Sequence, residues 1–391
     1  FFLINFQKFK KNIIAINYVE GVNSNTTSDL FWFDDKVNIP SSDILIYLEK
    51  DNYNNKKINN RIEILKAKKY GFKTIEIDNC YFKEFECQPI NKIKNLIKKK
   101  IIETPLEKWV KFFINSQLSE ISFWYSFFKY TNTKIHLDIT EGGVSNINKN
   151  IALKFLNSIS IGKERSIFNS NLPQAMISYY PNDIFFTWGD RSSKNYLSSF
   201  NCKKNILISG HPTMNQKLLN LYSDDLNLLN FKTNNKYKIL LIDNMHSDNK
   251  SLSGQNIDTP FMIEFISFFI NLVISNNNYA VLVKTKSIKN FNKISQIQDN
   301  LNIACKTNRF IIHDNPLITE PYMLSKFCDI SVSINVFLST SIIENAIIGN
   351  KCIHYDYANS VNTESELYKY GKNKIIFNEF VKFKEEFTNF F

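Results

Sequence analysis

Two short runs in this 391-residue chain hold the side chains best suited to chemistry. The first is Asp138-Ile139-Thr140-Glu141-Gly142-Gly143, two carboxylates beside a glycine pair. A carboxylate next to glycines can take a proton from a substrate hydroxyl, because glycine leaves room for close approach. The second is Ser339-Thr340-Ser341, followed by Glu344. Hydroxyls and unpaired N–H groups at a helix start attract phosphate, and a carboxylate one turn further can accept the two hydroxyls of a ribose. The same residues would also serve as an ordinary helix N-cap, and Asp138 and Glu141 as caps of a helix starting near Ser145.

Other polar groups fall where strands are predicted to end: His211, Asp243, Asn244, His246, Lys284 and Lys286. Lys284 and Lys286 follow an apolar run and are placed either to neutralise a phosphate or to solvate a strand end. The five histidines, His136, His211, His246, His313 and His354, lack HExxH-like spacing, so no metal is expected. GxxxxGK, GxGxxG and GxSxG are all absent, which removes the main signatures of ATPases, dinucleotide enzymes and serine hydrolases. No cofactor is called for. What remains is a carboxylate base on one side and a phosphate seat on the other. Such a pair can activate an acceptor hydroxyl while stabilising a departing nucleotide, which is sugar transfer.

Regular elements must hold these groups. From Asp43 the pattern reads strand DILIYLE, helix KINNRIEILKAKKYG and strand KTIEID, a βαβ unit. Helices follow over Lys92–Lys100 and Pro105–Tyr130. The second carries Trp109, Phe112, Phe113, Ile121, Trp124, Phe127 and Phe128 at mostly helical spacing, which reads as a core stripe. Strand KIHLDI then delivers Asp138 and Glu141 at its carboxyl end, where open α/β sheets bind ligands. SISIG, DIFFTWG and NILISG complete the first half. The second half alternates more regularly: KYKILLID, a helix over Pro260–Ser275, YAVLVKTK, RFIIHD, a helix over Thr319–Phe327, CDISVSI, the serine-rich helix, KCIHYD and a terminal helix. Alternation without hairpin signals predicts parallel, doubly wound sheets. Residues 1–40 are hard to place, although NIIAINYV can form a strand.

Length favours two domains. The expected architecture is α/β, two Rossmann-like domains facing across a cleft: residues 1–210 on the acceptor side and residues 211–391 binding the nucleotide-sugar. A hydrophobic content of 43% with 22% charged residues fits folded domains rather than disorder. The net charge of +11 is spread among Asn, Ile and Phe, residues of A/T-rich codons, so it does not by itself imply nucleic acid. Only KIKNLIKKK, Lys92–Lys100, is concentrated enough for a basic face, and a solvated helix explains it as well. Six cysteines without a CxxC pair read as reduced cytosolic thiols. No apolar run reaches the length of a membrane span, and the first residues show neither Met nor a signal-peptide pattern. The expectation is a cytoplasmic protein, with room for peripheral contact with the inner membrane, whose given sequence begins inside a longer natural one.

The layout from roughly residue 130 to 380, and especially ILISGHP, VLVKTK and SINVFLSTSIIENAIIGNKCIHYD, resembles GT-B glycosyltransferases of bacterial surface polysaccharide biosynthesis. FFTWGDRSSKNYL followed by ILISGHP is similar to the interdomain region of capsule and lipopolysaccharide enzymes, Kdo transferases among them. The serine cluster also resembles bacterial sialyltransferases, which use CMP-sugars and carry an acidic-acidic-Gly motif and a His-Pro motif. The resemblance implies Glu141-Gly142 as the acidic-Gly element, with Thr140 in place of the first acid. It implies His211-Pro212 as the His-Pro pair and Ser339, Thr340 and Ser341 as the phosphate-binding hydroxyls. It further implies a nucleotide-sugar donor, with CMP-sugars such as CMP-Kdo favoured, and a glycan or glycolipid acceptor of a capsule or lipopolysaccharide pathway. Two other enzymes fit the same scaffold, a nucleotide-sugar epimerase and a teichoic-acid-type polyol-phosphate transferase. A non-catalytic carbohydrate-binding or scaffold protein is the reading from a different class. Nucleic-acid binding is least favoured, because the basic residues lack an RNP-like aromatic pattern or a zinc module.

Overall fold

The computed structural model describes residues 11–18, 39–50, 68, 71–78, 88–99, 104–138, 144–164, 181–190, 205–210, 237–243, 246–247, 257–285, 291–292, 294–313, 321–334, 340–359 and 366–390. The chain divides into two compact units, Phe1–Arg165 with Pro173–Pro212, and Ser166–Leu172 with Thr213–Phe391.

The first unit is built on a parallel sheet of β1 (Ile13–Tyr18), β2 (Ile44–Lys50), β3 (Lys73–Asp78), β4 (Thr133–Asp138), β5 (Ile159–Lys163), β6 (Ile184–Thr187) and β7 (Asn205–Ile208), in the order β3-β2-β1-β4-β5-β6-β7. The hard-to-place NIIAINYV supplies β1, which lies between β2 and β4. Its Ile13 and Ala15 point into a core shared with Leu45, Tyr47, Ile77, Trp124, Phe127 and Phe128. That core is roofed by α1 (Gln88–Lys99), α2 (Pro105–Tyr130) and α3 (Val144–Phe155).

Helix α2 starts as its sequence dictates. Thr104 accepts the Glu107 N–H at 3.2 Å, the Glu107 carboxylate accepts the Thr104 N–H at 3.0 Å, and Pro105 occupies the first turn. The aromatic stripe is only half a core stripe, however. Ile121, Trp124, Phe127 and Phe128 are buried, whereas Trp109, Phe112 and Phe113 are exposed. Periodicity marks a face but not its neighbour, and the sheet underlies only the later turns.

The second unit carries β8 (Tyr237–Ile242), β11 (Tyr279–Lys284), β12 (Phe310–His313), β13 (Ile330–Ile334), β14 (Lys351–Tyr355) and β15 (Ile376–Phe377), all parallel, in the order β12-β11-β8-β13-β14-β15. A two-residue pair, β9 (His246–Ser247) and β10 (Ile257–Asp258), lies apart from it. Its helices are α4 (Thr259–Ser275), α5 (Gln298–Lys306), α6 (Pro321–Ser325), α7 (Thr340–Ile347), α8 (Glu366–Gly371) and α9 (Phe380–Asn389). Alternate strand residues feed two cores. Leu241, Val283 and Val332 meet Met262, Phe265 and Phe269 of α4 on one face. Leu240, Ile242 and Leu282 meet Tyr322 and Leu324 of α6 and Ile342 of α7 on the other. Burial on both faces explains why these strands read as near-continuous apolar runs.

Renumbered within its own unit, each sheet runs 3-2-1-4-5-6, with a seventh strand added in the first. This is the doubly wound order, in which the chain reverses direction between strands 1 and 4 and leaves a crevice at their carboxyl ends. The expected fold class, α/β with two Rossmann-like domains, is what the structure shows.

Candidate functional site

Each chemistry-bearing run follows the fourth strand of its sheet. In the first unit that strand is β4, whose last residue is Asp138. Register places Leu137 opposite Ile16 of β1 and Asp138 opposite Gly162 of β5, so Asp138 ends β4 level with Asn17, one residue before the end of β1. Both side chains are buried, Asp138 at 2% exposure. A carboxylate that covered is better placed to orient its neighbours than to receive an acceptor hydroxyl. Glu141, Gly142 and Gly143 lie outside the described residues, and α3 starts at Val144.

Behind Asp138 stands a buried polar cluster. The Tyr47 hydroxyl lies 2.7 Å from His136 Nε2, a bond whose direction follows the imidazole tautomer. Burial lowers the His136 pKa to about 4, with Asp138 raising it and Lys149 lowering it, so the ring is neutral at pH 7. Burial, with the charges of Glu49 and Asp138, raises the Tyr47 phenol well above its usual value. Lys149, 2% exposed, donates to Glu49 at 2.6 Å and lies 4.7 Å from the Trp124 ring centroid. A charged amine so covered is tolerable only with such a partner. Asn148 donates to Gln117 at 2.6 Å and to Glu120 at 2.7 Å, and Glu120 accepts the Trp124 indole N–H at 3.2 Å. These bonds fix α3, the helix that follows the Asp138–Gly143 run, to both β2 and α2.

Sequence reasoning missed Tyr47, Glu49 and Lys149. Tyr47 and His136 are 89 residues apart and Glu49 and Lys149 are 100 apart, so no local spacing announces either pair. Nor does Lys149 stand out within its own segment, where it is flanked by Asn148 and Asn150.

In the second unit the fourth strand is β13, which leads to α7. Thr340, Ser341 and Glu344 stand in the first turns of α7, all partly exposed. Ser339 lies outside the described residues. The helix is anchored from below: Asn345, fully buried, donates to Ser331 Oγ at 2.9 Å, and Ser333 Oγ lies 2.8 Å from His354 Nδ1. Ser331 and Ser333 share the face of β13 that Val332 and Ile334 do not, which explains two hydroxyls in an otherwise apolar strand. Burial lowers the His354 pKa to about 3. At the other end, Gly349 takes φ +90°, the Asn350 N–H reaches Asn345 O at 3.0 Å and the Gly349 N–H reaches Ala346 O at 3.0 Å, the reciprocal pair of a Schellman stop.

Lys284 ends β11, where its carbonyl accepts the N–H of Asp243 at the end of β8 at 3.0 Å. Since β11 and β13 flank β8, Lys284 and the β13 end share one rim about 10 Å apart, two strand spacings. Asp243 is buried there. The structure thus puts Lys284, Thr340, Ser341 and Glu344 on the carboxyl side of one sheet and Asp138 on that of the other. Lys286 and His211 lie outside the described residues, and the side chain of His246 is not described. Among the described residues no group of three or more His, Cys, Asp or Glu side chains could hold a metal ion.

No family model matches the chain. No curated protein matches it either. Solved structures do. The UDP-GlcNAc 2-epimerase from Methanocaldococcus jannaschii matches at TM-score 0.57 and 11% identity over 96% of this chain and 91% of the other. The UDP co-structure of S. aureus MnaA matches at TM-score 0.51 and 11% identity over 94% and 83%. A glycosyltransferase from Rickettsia africae ESF-5 is matched at TM-score 0.49 and 11% identity over 97% and 88%. At such identities the likeness is one of fold, two parallel-sheet α/β units in one chain, and the two higher-scoring structures establish it.

Proposed function

We propose that the protein is a glycosyltransferase that moves a sugar from a nucleotide-activated donor to a hydroxyl of a surface-polysaccharide acceptor. The observation that carries this reading is positional: both chemistry-bearing runs follow strand 4 of a 3-2-1-4-5-6 sheet, where such folds bind ligands. On this reading residues 211–391 bind the donor. Ser339, Thr340 and Ser341 receive its phosphate with Lys284, Lys286 and His211, and Glu344 takes the ribose. Residues 1–210 bind the acceptor. Glu141 acts as general base, while buried Asp138 orients the loop that carries it. The resemblance to sialyltransferases and Kdo transferases favours a CMP-sugar, with a capsule or lipopolysaccharide acceptor that would bring the protein to the inner membrane.

A second reading has an observation of its own. Two of the matched solved structures with a TM-score above 0.5 are a UDP-GlcNAc 2-epimerase and a UDP complex, which favours epimerisation of a UDP-sugar on the same scaffold. One experiment separates the two. The protein is incubated with labelled CMP-, UDP- and CDP-linked sugars, with and without lipopolysaccharide or capsule oligosaccharide acceptors. Label appearing in the acceptor together with free nucleotide supports transfer. A UDP-sugar inverted at one carbon without acceptor supports epimerisation. Nucleotide binding without any turnover leaves the carbohydrate-binding scaffold.

A further inference from the structure

The first turns of α2 face outward with side chains that water does not favour. Leu106 is 68% exposed, Trp109 61% and Phe112 74%, and Val110 and Phe113 are exposed beside them. Trp109 and Phe113 stack on each other, ring centroids 5.6 Å apart and nearly parallel. Helix α1 adds exposed Ile93 and Leu96. The two helices adjoin: Ile90 of α1 shares a core with Leu118 of α2, and Lys94 reaches Ser119 at 3.5 Å. Large apolar side chains left exposed together on adjoining helices mark an interaction surface.

Charge says what covers it. Among the described side chains of α1 and the first turns of α2, Lys92, Lys94, Lys108 and Lys111 stand against the single acid Glu107, an excess of positive charge. Lys92 and Lys108 are exposed on the same two helices. A second copy of the chain would bring two positively charged faces together, since an isologous contact uses the same patch on both partners. An anionic bilayer complements them. Aromatic and aliphatic side chains enter the boundary between headgroups and acyl chains, while lysine stems keep their ammonium groups among the headgroup phosphates.

We propose that the α1–α2 face docks the protein on the surface of an anionic lipid bilayer. Among the described residues no helix is long and apolar enough to cross a membrane, so the contact is interfacial. The inference does not depend on the transferase reading, since vesicle binding requires neither donor nor turnover.

Co-sedimentation of the full chain with phosphatidylcholine vesicles, with and without phosphatidylglycerol, tests it. The protein should partition onto the anionic vesicles and be released by salt. The triple variant Trp109→Ser, Phe112→Ser, Phe113→Ser should bind at least about tenfold more weakly, and so should the double variant Lys92→Glu, Lys108→Glu, because apolar insertion and charge attraction contribute separately. Both variants alter exposed side chains, and unchanged circular dichroism and melting would show the fold kept. Equal vesicle binding by the triple variant overturns the proposal, as does failure of the unmodified protein to bind anionic vesicles. A dimer that the triple substitution converts to monomer would assign the face to a second copy instead.

Discussion

At the scale of single residues, the proposed roles make separable predictions. Replacing Glu344 with Ala should weaken donor-nucleotide binding by about 1.5–3 kcal/mol, the worth of a charge-assisted hydrogen bond, with the fold intact. Titration calorimetry reads this directly, and unaltered affinity would remove Glu344 from the site. Glu141→Gln should lower turnover by roughly 10²–10⁴-fold with little change in donor binding, as loss of a general base does. If Glu141→Gln and Asp138→Asn both keep full transfer rates, the base lies elsewhere. The buried histidines make an acid-stability prediction. His136 and His354 are held neutral, with pKa values near 4 and 3, while an unfolded chain binds their protons near 6.5. The unfolded state therefore carries more protons in that window. Stability is fully present above about pH 6.5 and is lost as the pH falls towards the folded values, by a few kcal/mol per histidine. Urea midpoints at pH 7 and pH 5 should show the loss, and His354→Gln should reduce it.

At the scale of elements, two helices are pinned by buried polar bonds, each directly after a proposed ligand loop. In α3 the pin is Lys149 on Glu49. Lys149→Met should cost about 3 kcal/mol, because it leaves Glu49 without its amine in a mostly covered position, and Glu49→Gln with Lys149→Met together should cost less than the single change. In α7 the pin is Asn345 on Ser331, and its loss would let the helix start shift relative to β13. A chemical-denaturation cycle on the first pair checks the argument: additive losses would show that the two charges do not depend on each other. The serines of β13 were visible in the sequence as polar residues in an apolar setting, whereas Lys149, between two asparagines, was not. Their partners were not visible either, because those lie on other elements.

At the scale of the whole molecule, the two units hold separate cores, Ile13 to Leu153 in one and Ile239 to Phe387 in the other. A nucleotide that binds only the second unit should stabilise that unit selectively, since a ligand raises stability only where the folded site exists. Hydrogen exchange with CMP or UDP present should slow amides along β8, β11, β13 and α7 and leave β1, β2 and β4 nearly unchanged. Slowing confined to β1 and β4 would reverse the assignment of donor and acceptor units.

The alternation of apolar runs and amphipathic helices made the parallel sheets legible, because a strand buried on both faces has no choice but to be apolar throughout. The capping box at Thr104 and the glycine stop at Gly349 are local hydrogen-bond patterns of adjacent residues and need no distant partner. The Asp138 and Ser339–Ser341 runs stood out by type and by position at predicted strand ends. What only the tertiary structure decided is non-local. It placed β1 between β2 and β4, which makes the end of β4 a switch point. It also set Tyr47 on His136 and Glu49 on Lys149 across 89 and 100 residues. And it divided one aromatic stripe into a buried end and an exposed end. Side-chain periodicity records which face of a helix is apolar, but what that face meets depends on how far the sheet beneath it extends.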